Sequence, residues 1–114
     1  GNDRFNLNTA AGVVSITDLS DADLLVITTG TANASVTTNW TATGVTANSG
    51  TANLTTTGAV TTVDVSGAGG TSGWSITQGN TSGATFTGSA NGDALTGNTG
   101  NDSLDGRAGN DTLT

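Results

Sequence analysis

The chain has 114 residues, 18 of them glycine, with no cysteine, histidine or proline and a formal net charge of −7. All nine acidic residues are aspartates, and the two basic residues are Arg4 and Arg107. This excludes a disulfide framework and disfavours nucleic acid as a partner, because phosphate binding needs clustered basic side chains. Without His, Cys, Lys or Glu there is little to perform acid–base or nucleophilic catalysis, so we expect no enzymatic role.

The composition predicts an all-β protein, because Thr, Val and Ile favour strands and glycine supplies turns. The longest apolar run, residues 24–27, suits one short strand and falls far short of the ~20 residues of a membrane span, so we expect no membrane insertion. The chain has no methionine and no secretory signal pattern, and we expect it to be a fragment or a processed piece.

Three aspartates, Asp18, Asp21 and Asp23, fall close together in the stretch SITDLSDADLLV, residues 15–26. One interpretation is a calcium loop, since carboxylate oxygens suit that ion. The other is a polar turn in front of the buried strand at residues 24–27, which is the commoner meaning of such a pattern.

The middle of the chain repeats an apolar residue at intervals of nine. The positions are Phe5 and Val14, and then Ile27, Val36, Val45, Leu54 and Val63. This step predicts an irregular β-solenoid over residues 15–78 with these side chains pointing inward, and the lack of repeated aspartates predicts coils without metal. A small β-sandwich between two repeat blocks is the alternative fold.

Trp40 and Trp74 are the largest aromatic side chains. We expect them to pack in the core or at a cap of the fold, with a sugar-binding platform as the alternative.

The tail contains three in-phase nonapeptides, GSANGDALT, GNTGNDSLD and GRAGNDTLT, over residues 88–114. Position 1 is always glycine, position 6 aspartate and position 8 leucine. The preceding nonapeptide, residues 79–87, keeps the glycine but has Ala84 at position 6. A fixed period of this kind indicates a repeat architecture.

These nonapeptides resemble the RTX, or hemolysin-type calcium-binding, repeat G-G-x-G-x-D-x-U-x, where U is a large apolar residue. The resemblance implies a right-handed parallel β-roll or β-solenoid in which six residues turn and three form a strand. Asn91 at position 4 and Arg107 at position 2 depart from the pattern. Residues 1–5, GNDRF, also resemble positions 4 to 8 of a repeat.

The resemblance further implies Ca²⁺, held between stacked turns by position-6 carboxylates and turn carbonyls. The residues that it implicates are Asp93, Asp111, Asp102, Asp3, Gly88, Asn91, Gly97, Gly100, Gly106 and Gly109. Because two repeats make one coil, each repeat is expected to stack on the second repeat after it. Asp93 and Asp111 should then share one edge, and Asp102 should lie on the opposite edge.

We therefore expect three segments: residues 1–14 as the end of a preceding RTX-like block, 15–78 as an irregular solenoid, and 79–114 as a calcium-binding β-roll. RTX proteins as a family leave Gram-negative bacteria by type I secretion and fold outside the cell. The expected function is an extracellular structural protein such as a surface layer, adhesin stalk or fibre.

Two other functions remain open, a non-catalytic secretion and folding module, and ice binding through the rows Thr41/Thr43 and Thr55/Thr57. The expected partners are calcium and other copies of the chain. The chain starts at position 4 of a repeat and ends at position 9, so head-to-tail continuation would nearly keep the repeat in phase.

Overall fold

The computed structural model describes the backbone of residues 1–114 and the side chains of all of them except Thr9 and Ala11. The strands are β1 (Arg4–Leu19), β2 (Leu24–Val36), β3 (Trp40–Thr41), β4 (Ala47–Asn48), β5 (Thr51–Thr56), β6 (Thr62–Asp64), β7 (Trp74–Thr77), β8 (Thr85–Thr87), β9 (Ala94–Thr96), β10 (Ser103–Asp105) and β11 (Thr112–Leu113). Within this described part no helix is long and apolar enough to cross a membrane.

The strands form two parallel sheets. Sheet A has the order β1-β2-β5-β7-β9-β11, with β4 added on β2, and sheet B has the order β10-β8-β6-β3. From β5 onward the chain moves from one sheet to the other and returns one coil later, which makes a β-solenoid of about five turns. The predicted solenoid is confirmed, and its parallel pairing differs from the antiparallel pairing of a β-sandwich.

The core is built from ladders of apolar side chains that stack from coil to coil. In sheet A the ladder runs through Ile16, Ala34, Leu54, Ile76, Leu95 and Leu113. In sheet B it runs through Trp40, Val63, Phe86 and Leu104. Successive strands lie ~4.8 Å apart and alternate residues point inward, so each ladder presents one continuous apolar wall to the other sheet.

Coil length separates the tail from the rest of the chain. Thr112 lies opposite Ala94, 18 residues earlier. Upstream, Thr51 lies 20 residues from its partner Thr31, and Val63 lies 23 residues from Trp40. The tail therefore has the two-repeat coil that was predicted, whereas the middle has longer coils.

The longer coils make part of the predicted core pattern wrong. Val45 is 65% exposed and Val14 is 39% exposed, although the nine-residue step placed both inside. Extra residues at the corners shift the phase, so Val45 falls in a turn and Trp40 takes an inward position instead. Ile27 and Leu54 are buried as predicted.

The two tryptophans pack against each other inside the solenoid. Both are buried, with ring centroids 6.0 Å apart and ring planes tilted by 56°. The Trp40 Nε1 donates a hydrogen bond to the Asp23 carbonyl oxygen at 3.2 Å. Core packing is thus confirmed, and neither indole face is available as a sugar platform.

Candidate metal centre

The repeated aspartates lie where turns enter strands, at two corners of the solenoid. The first corner contains the turns that lead from sheet B to sheet A, including residues 88–93 and 106–111. The second corner contains the turns that lead from sheet A to sheet B, including residues 79–84 and 97–102. Each corner is a stack of turns one coil apart, which brings together residues 18 or more positions apart.

In the first corner, aspartates link successive coils. The Asp111 Oδ1 accepts a hydrogen bond from the backbone NH of Asp93 at 2.9 Å. The Asp93 Oδ1 in turn accepts one from the backbone NH of Trp74 at 2.6 Å. Asp93 and Asp111 therefore lie on the same edge, one coil apart, as the period predicted.

Asp102 has the same arrangement in the second corner. Its Oδ1 accepts a hydrogen bond from the backbone NH of Ala84, 18 residues earlier, at 2.8 Å. Since position 6 of that upstream repeat is alanine, Asp102 meets a backbone NH there and no second carboxylate. The structure thus places Asp102 on the edge opposite Asp93 and Asp111, as predicted.

Asp93 is the most enclosed of the three carboxylates, with 2% of its surface exposed. The Asp93 Oδ2 accepts a hydrogen bond from the backbone NH of Ser89 at 2.6 Å, and the Ser89 hydroxyl lies 3.1 and 3.2 Å from the two oxygens. Burying a carboxylate is costly unless donors or a cation compensate. The three donors supply part of that compensation, and the remaining negative charge favours a cation.

The position-1 glycines are needed because the aspartates occupy their side-chain space. A Cβ added to Gly88 would lie 2.6 Å from the Asp93 Oδ2 and 2.6 Å from the Gly106 carbonyl oxygen. A Cβ on Gly97 or on Gly106 would overlap the carboxylate of that residue's own repeat. The missing side chain of Gly88 thus lets oxygens from two successive turns approach this corner, and oxygen ligands are those that Ca²⁺ takes.

Positions 2 and 4 shape the turns of the second and third repeats. Gly100 and Gly109 at position 4 have φ of 125° and 124°, while Asn98 and Arg107 at position 2 have φ of 63° and 66°. Left-handed φ is unfavourable for a residue such as arginine, so Arg107 keeps the turn geometry of its repeat under strain. The first repeat differs: the Asn91 side-chain amide lies 3.4 Å from the carbonyl oxygens of Gly70 and Ser72.

A similar arrangement occurs near the start of the chain. The Asp23 Oδ1 accepts a hydrogen bond from the backbone NH of Asp3 at 2.9 Å, and its Oδ2 accepts from the Ser20 backbone NH at 2.7 Å and hydroxyl at 2.9 Å. Burial alone would raise the pKa of Asp23, but these hydrogen bonds and the positive charge of the N-terminal amine together outweigh it and hold the pKa below its ordinary value. Asp23 and Asp3 are thus related as Asp111 and Asp93 are.

The other two aspartates of this stretch point elsewhere. Asp18 and Asp21 are exposed, and the Asp21 backbone NH donates to the Thr38 hydroxyl at 2.8 Å. The described side chains include no cluster of three or more His, Cys, Asp or Glu. The geometry of Asp23 fits the polar-turn interpretation, and a calcium loop at residues 18–23 stays a prediction.

Reasoning from the sequence missed the serines that hold two of these carboxylates. Ser89 precedes Asp93 by four residues and Ser20 precedes Asp23 by three, and both donate through NH and hydroxyl. A serine a few residues before an inward aspartate is a local signal that could have identified them, because Ser and Asp commonly form such turn hydrogen bonds.

The comparison with protein families identifies the tail. The family model of the RTX calcium-binding nonapeptide repeat (4 copies) matches residues 85–114. No curated protein and no solved structure matches the chain. The matched residues include the Asp93, Asp102 and Asp111 turns and the strands that they enter.

Proposed function

We propose that this chain is a calcium-folded extracellular structural protein, because residues 85–114 are RTX calcium-binding nonapeptide repeats and such repeats bind Ca²⁺. Its role would be that of a surface layer, an adhesin stalk or a fibre. RTX repeats are typical of secreted bacterial proteins, and the RTX solenoid is a non-catalytic motif. We extend both properties to the chain as a whole, and we propose no enzymatic activity for it.

The observation that carries the proposal is the hydrogen-bonded series from Trp74 through Asp93 to Asp111, which passes along one corner from coil to coil. Asp93 and Asp111, with turn carbonyls such as that of Gly106, would hold the ion in this corner. Asp102 would contribute in the other corner. When bound, Ca²⁺ neutralises the carboxylates and joins the oxygens of stacked turns.

Calcium dependence follows from the small core of the tail. Of the three repeat leucines, Leu95 is fully buried, Leu104 is partly buried and Leu113 is 48% exposed. Ordering each backbone residue costs roughly 1–2 kcal/mol, which so little apolar burial does not offset. An ion that binds only the folded turns adds stability by mass action, with an expected midpoint of roughly 10⁻⁴–10⁻³ M as in extracellular calcium modules.

A structural role is favoured over a secretion and folding module by the continuity of the solenoid. The sheet A ladder extends from Ile16 to Leu113 and passes from the middle of the chain into the repeats. A secretion module needs only its repeats, whereas here residues 24–78 continue the same stack. An uninterrupted parallel stack is the geometry of a stiff rod.

The test is a calcium titration followed by far-UV circular dichroism. The wild type should gain β signal as calcium rises, and Asp93→Asn/Asp111→Asn should lose that gain or need several-fold more calcium. The control is Asp64→Asn, which removes a carboxylate from the outer surface of sheet B, outside the repeats, and should titrate like the wild type. A wild-type spectrum that calcium does not change would refute the proposal.

Ice binding is a second candidate, but on different residues from those expected. Thr43 and Thr57 lie beyond the ends of β3 and β5, so the predicted Thr41/Thr43 and Thr55/Thr57 rows are not formed. The outer face of sheet A instead carries a row of small hydroxyl side chains on neighbouring strands, namely Ser35, Thr55, Thr77 and Thr96.

A regular row of hydroxyls on a parallel sheet could order water. Thermal hysteresis of the calcium-loaded chain would support this candidate, and Thr77→Tyr should abolish it by breaking the row. Thr85→Tyr, on the exposed face of sheet B, is the control that should retain it. Absence of hysteresis in the wild type would eliminate the candidate.

Self-association is the remaining partner proposal. β1 is one edge strand of sheet A and β11 is the other, so two copies stacked end to end would pair these edges in parallel. We expect higher-mass species at millimolar calcium in analytical ultracentrifugation. Monomers alone under those conditions would exclude unaided head-to-tail assembly.

A further inference from the structure

Between residues 39 and 83 neutral amide side chains link the coils at their corners, whereas in the tail the carboxylates of Asp93, Asp102 and Asp111 contribute such links. The residues that make these links are Asn39, Asn48, Gln78 and Asn80. Asn48 and Gln78 are completely buried. None of the four was singled out by the sequence, because each contacts a residue 18 to 25 positions away.

Gln78 lies inside the second corner, between the turn at residues 57–61 and the turn at residues 79–84. The Gln78 Nε2 lies 3.2 Å from the Val60 carbonyl oxygen, 3.2 Å from the Ser82 carbonyl oxygen and 2.8 Å from the Asn80 Oδ1. Its Oε1 accepts a hydrogen bond from the Thr56 hydroxyl at 2.7 Å. Every polar atom of this buried side chain thus has a partner.

Asn80 adds a second link from the same turn. The Asn80 Nδ2 donates to the Val60 carbonyl oxygen at 2.8 Å, so this one oxygen receives amide hydrogens from two side chains. Val60 belongs to one coil and Ser82 to the next. Oxygens from two stacked turns therefore surround amide N–H groups here. In the turns of the repeats, oxygens that converge from stacked turns suit a cation instead.

The first corner has a similar amide link in the coils that precede the repeats. The Asn48 Nδ2 donates to the Gly73 carbonyl oxygen of the next coil at 2.6 Å, and the Asn48 Oδ1 accepts from the Gly50 NH at 3.1 Å. Here too a buried neutral amide joins consecutive turns. It adds no charge that a metal ion would have to neutralise.

We infer that Gln78 with Asn80 takes the place of a metal ion in the second corner, and that Asn48 does so in the first. The sequence changes at the same point, because Ala84 stands where the later repeats have aspartate. An amide side chain donates N–H groups to converging carbonyl oxygens and carries no charge of its own. Converging carboxylates, in contrast, repel one another until a cation binds. Residues 24–83 therefore fold without calcium.

Calcium then controls the tail alone. Residues 85–114 would order by adding β8 and β9 to the exposed edges of β6 and β7, which the amide-linked coils hold in place beforehand. This inference extends the proposed function by dividing the solenoid into a permanent rod and a calcium-dependent extension. Its readout is separate from the circular dichroism of the tail when Trp40 alone is observed, in a Trp74→Phe background. Trp40 is buried in the upstream coils, whereas the backbone NH of Trp74 donates to Asp93 of the tail.

The test measures acrylamide quenching of tryptophan fluorescence, and the thermal midpoint Tm from that fluorescence, in the full chain with chelator and with calcium. In the Trp74→Phe background, Trp40 should stay protected from acrylamide in chelator and show a cooperative transition. Gln78→Glu keeps the side-chain shape but places a carboxylate beside the Val60 and Ser82 carbonyls. The Gln78→Glu substitution should lower Tm in chelator by at least about 5 °C. Calcium should restore more of this lost Tm than it restores in the uncharged control Gln78→Met.

The control is Gln78→Met, which has a similar size and no charge and should lose stability equally with and without calcium. An exposed Trp40 in chelator would overturn the inference, since the upstream coils would then need calcium. It would also fail if Gln78→Glu matched the wild type in chelator, or if calcium restored its Tm no more than it does for Gln78→Met. Failure here leaves the calcium response of the tail intact, so the two proposals are separable.

Discussion

Gly88 and Asp93 lie so close that a Cβ on the glycine would be 2.6 Å from the carboxylate Oδ2. The same Cβ would be 2.6 Å from the carbonyl oxygen of Gly106, one coil later. The glycine at position 1 thus serves two purposes, because its missing side chain admits both the aspartate of its own repeat and a carbonyl of the repeat stacked on it.

Gly88→Ala should therefore damage the calcium corner directly. The added methyl group must displace either the carboxylate or the next turn, and such overpacking costs about 1–3 kcal/mol. We expect a higher calcium midpoint in the circular dichroism titration and a lower Tm in calcium. Gly44→Ala is the matched control, since nothing lies within 4 Å of a Cβ at Gly44. Equal effects of both substitutions would show that backbone flexibility, not the contact, is what matters.

Arg107 offers the opposite change, a substitution that should stabilise the chain. It is exposed and has φ of 66°, a left-handed conformation that costs an ordinary L-residue roughly 1–2 kcal/mol and glycine almost nothing. Arg107→Gly should raise the free energy of unfolding in calcium by about 1 kcal/mol, measured by urea denaturation. Arg107→Lys retains both the charge and the strain, and should behave like the wild type. A fall in stability on going to glycine would mean that the arginine side chain makes a compensating contact.

The tail could be predicted closely because its period fixes the geometry. The nine-residue spacing of Asp93, Asp102 and Asp111, together with the resemblance to the RTX repeat, predicted the 18-residue coil, the shared edge and the opposite edge. Strand alternation then placed Leu95 inward. All of this follows from local patterns repeated in phase, which a single sequence displays.

The middle of the chain could be predicted as a solenoid but not in its register. Val45 followed the nine-residue step and is exposed, because corner turns of variable length change the phase between coils. Gln78 and Asn48 gave no signal at all, since a polar residue within an apolar core is recognisable only once its partners on the neighbouring coil are known. The lack of repeated aspartates in the middle predicted coils without metal, but it did not predict that the amides of Gln78 and Asn48 would link those coils.

Position in the stack should decide what a repeat leucine contributes. Leu95 and Leu113 occupy the same position 8 and pair directly across β9 and β11. Leu95 is fully buried, whereas Leu113 lies on an edge strand and is 48% exposed. Leu95→Ala should cost about 2–5 kcal/mol, and Leu113→Ala about 1 kcal/mol or less, by urea denaturation in calcium. Similar losses at both positions would indicate that another copy covers Leu113 in solution.

From the lowered pKa of Asp23 we predict that the stability of the folded chain depends on pH, independently of the repeats. Buried among its donors, it has a pKa below the ordinary value of about 3.9. A carboxyl group whose pKa is lower in the folded chain binds fewer protons there than in the unfolded chain. Its contribution to stability is therefore complete above about pH 4 and is lost as the pH falls through the folded pKa.

The comparison that isolates this effect is wild type against Asp23→Asn in chelator, with Tm followed by tryptophan fluorescence from pH 7 downward. The variant should be less stable at neutral pH by about 1–2 kcal/mol, because the backbone NH groups of Asp3 and Ser20 lose a charged acceptor. The difference should shrink below pH 4, where the wild-type carboxyl group becomes protonated. Asp18→Asn removes the same charge from an exposed strand position and should differ little from wild type at any pH. A gap for Asp23→Asn that stays constant into acid would assign the loss to altered packing instead of the carboxylate charge.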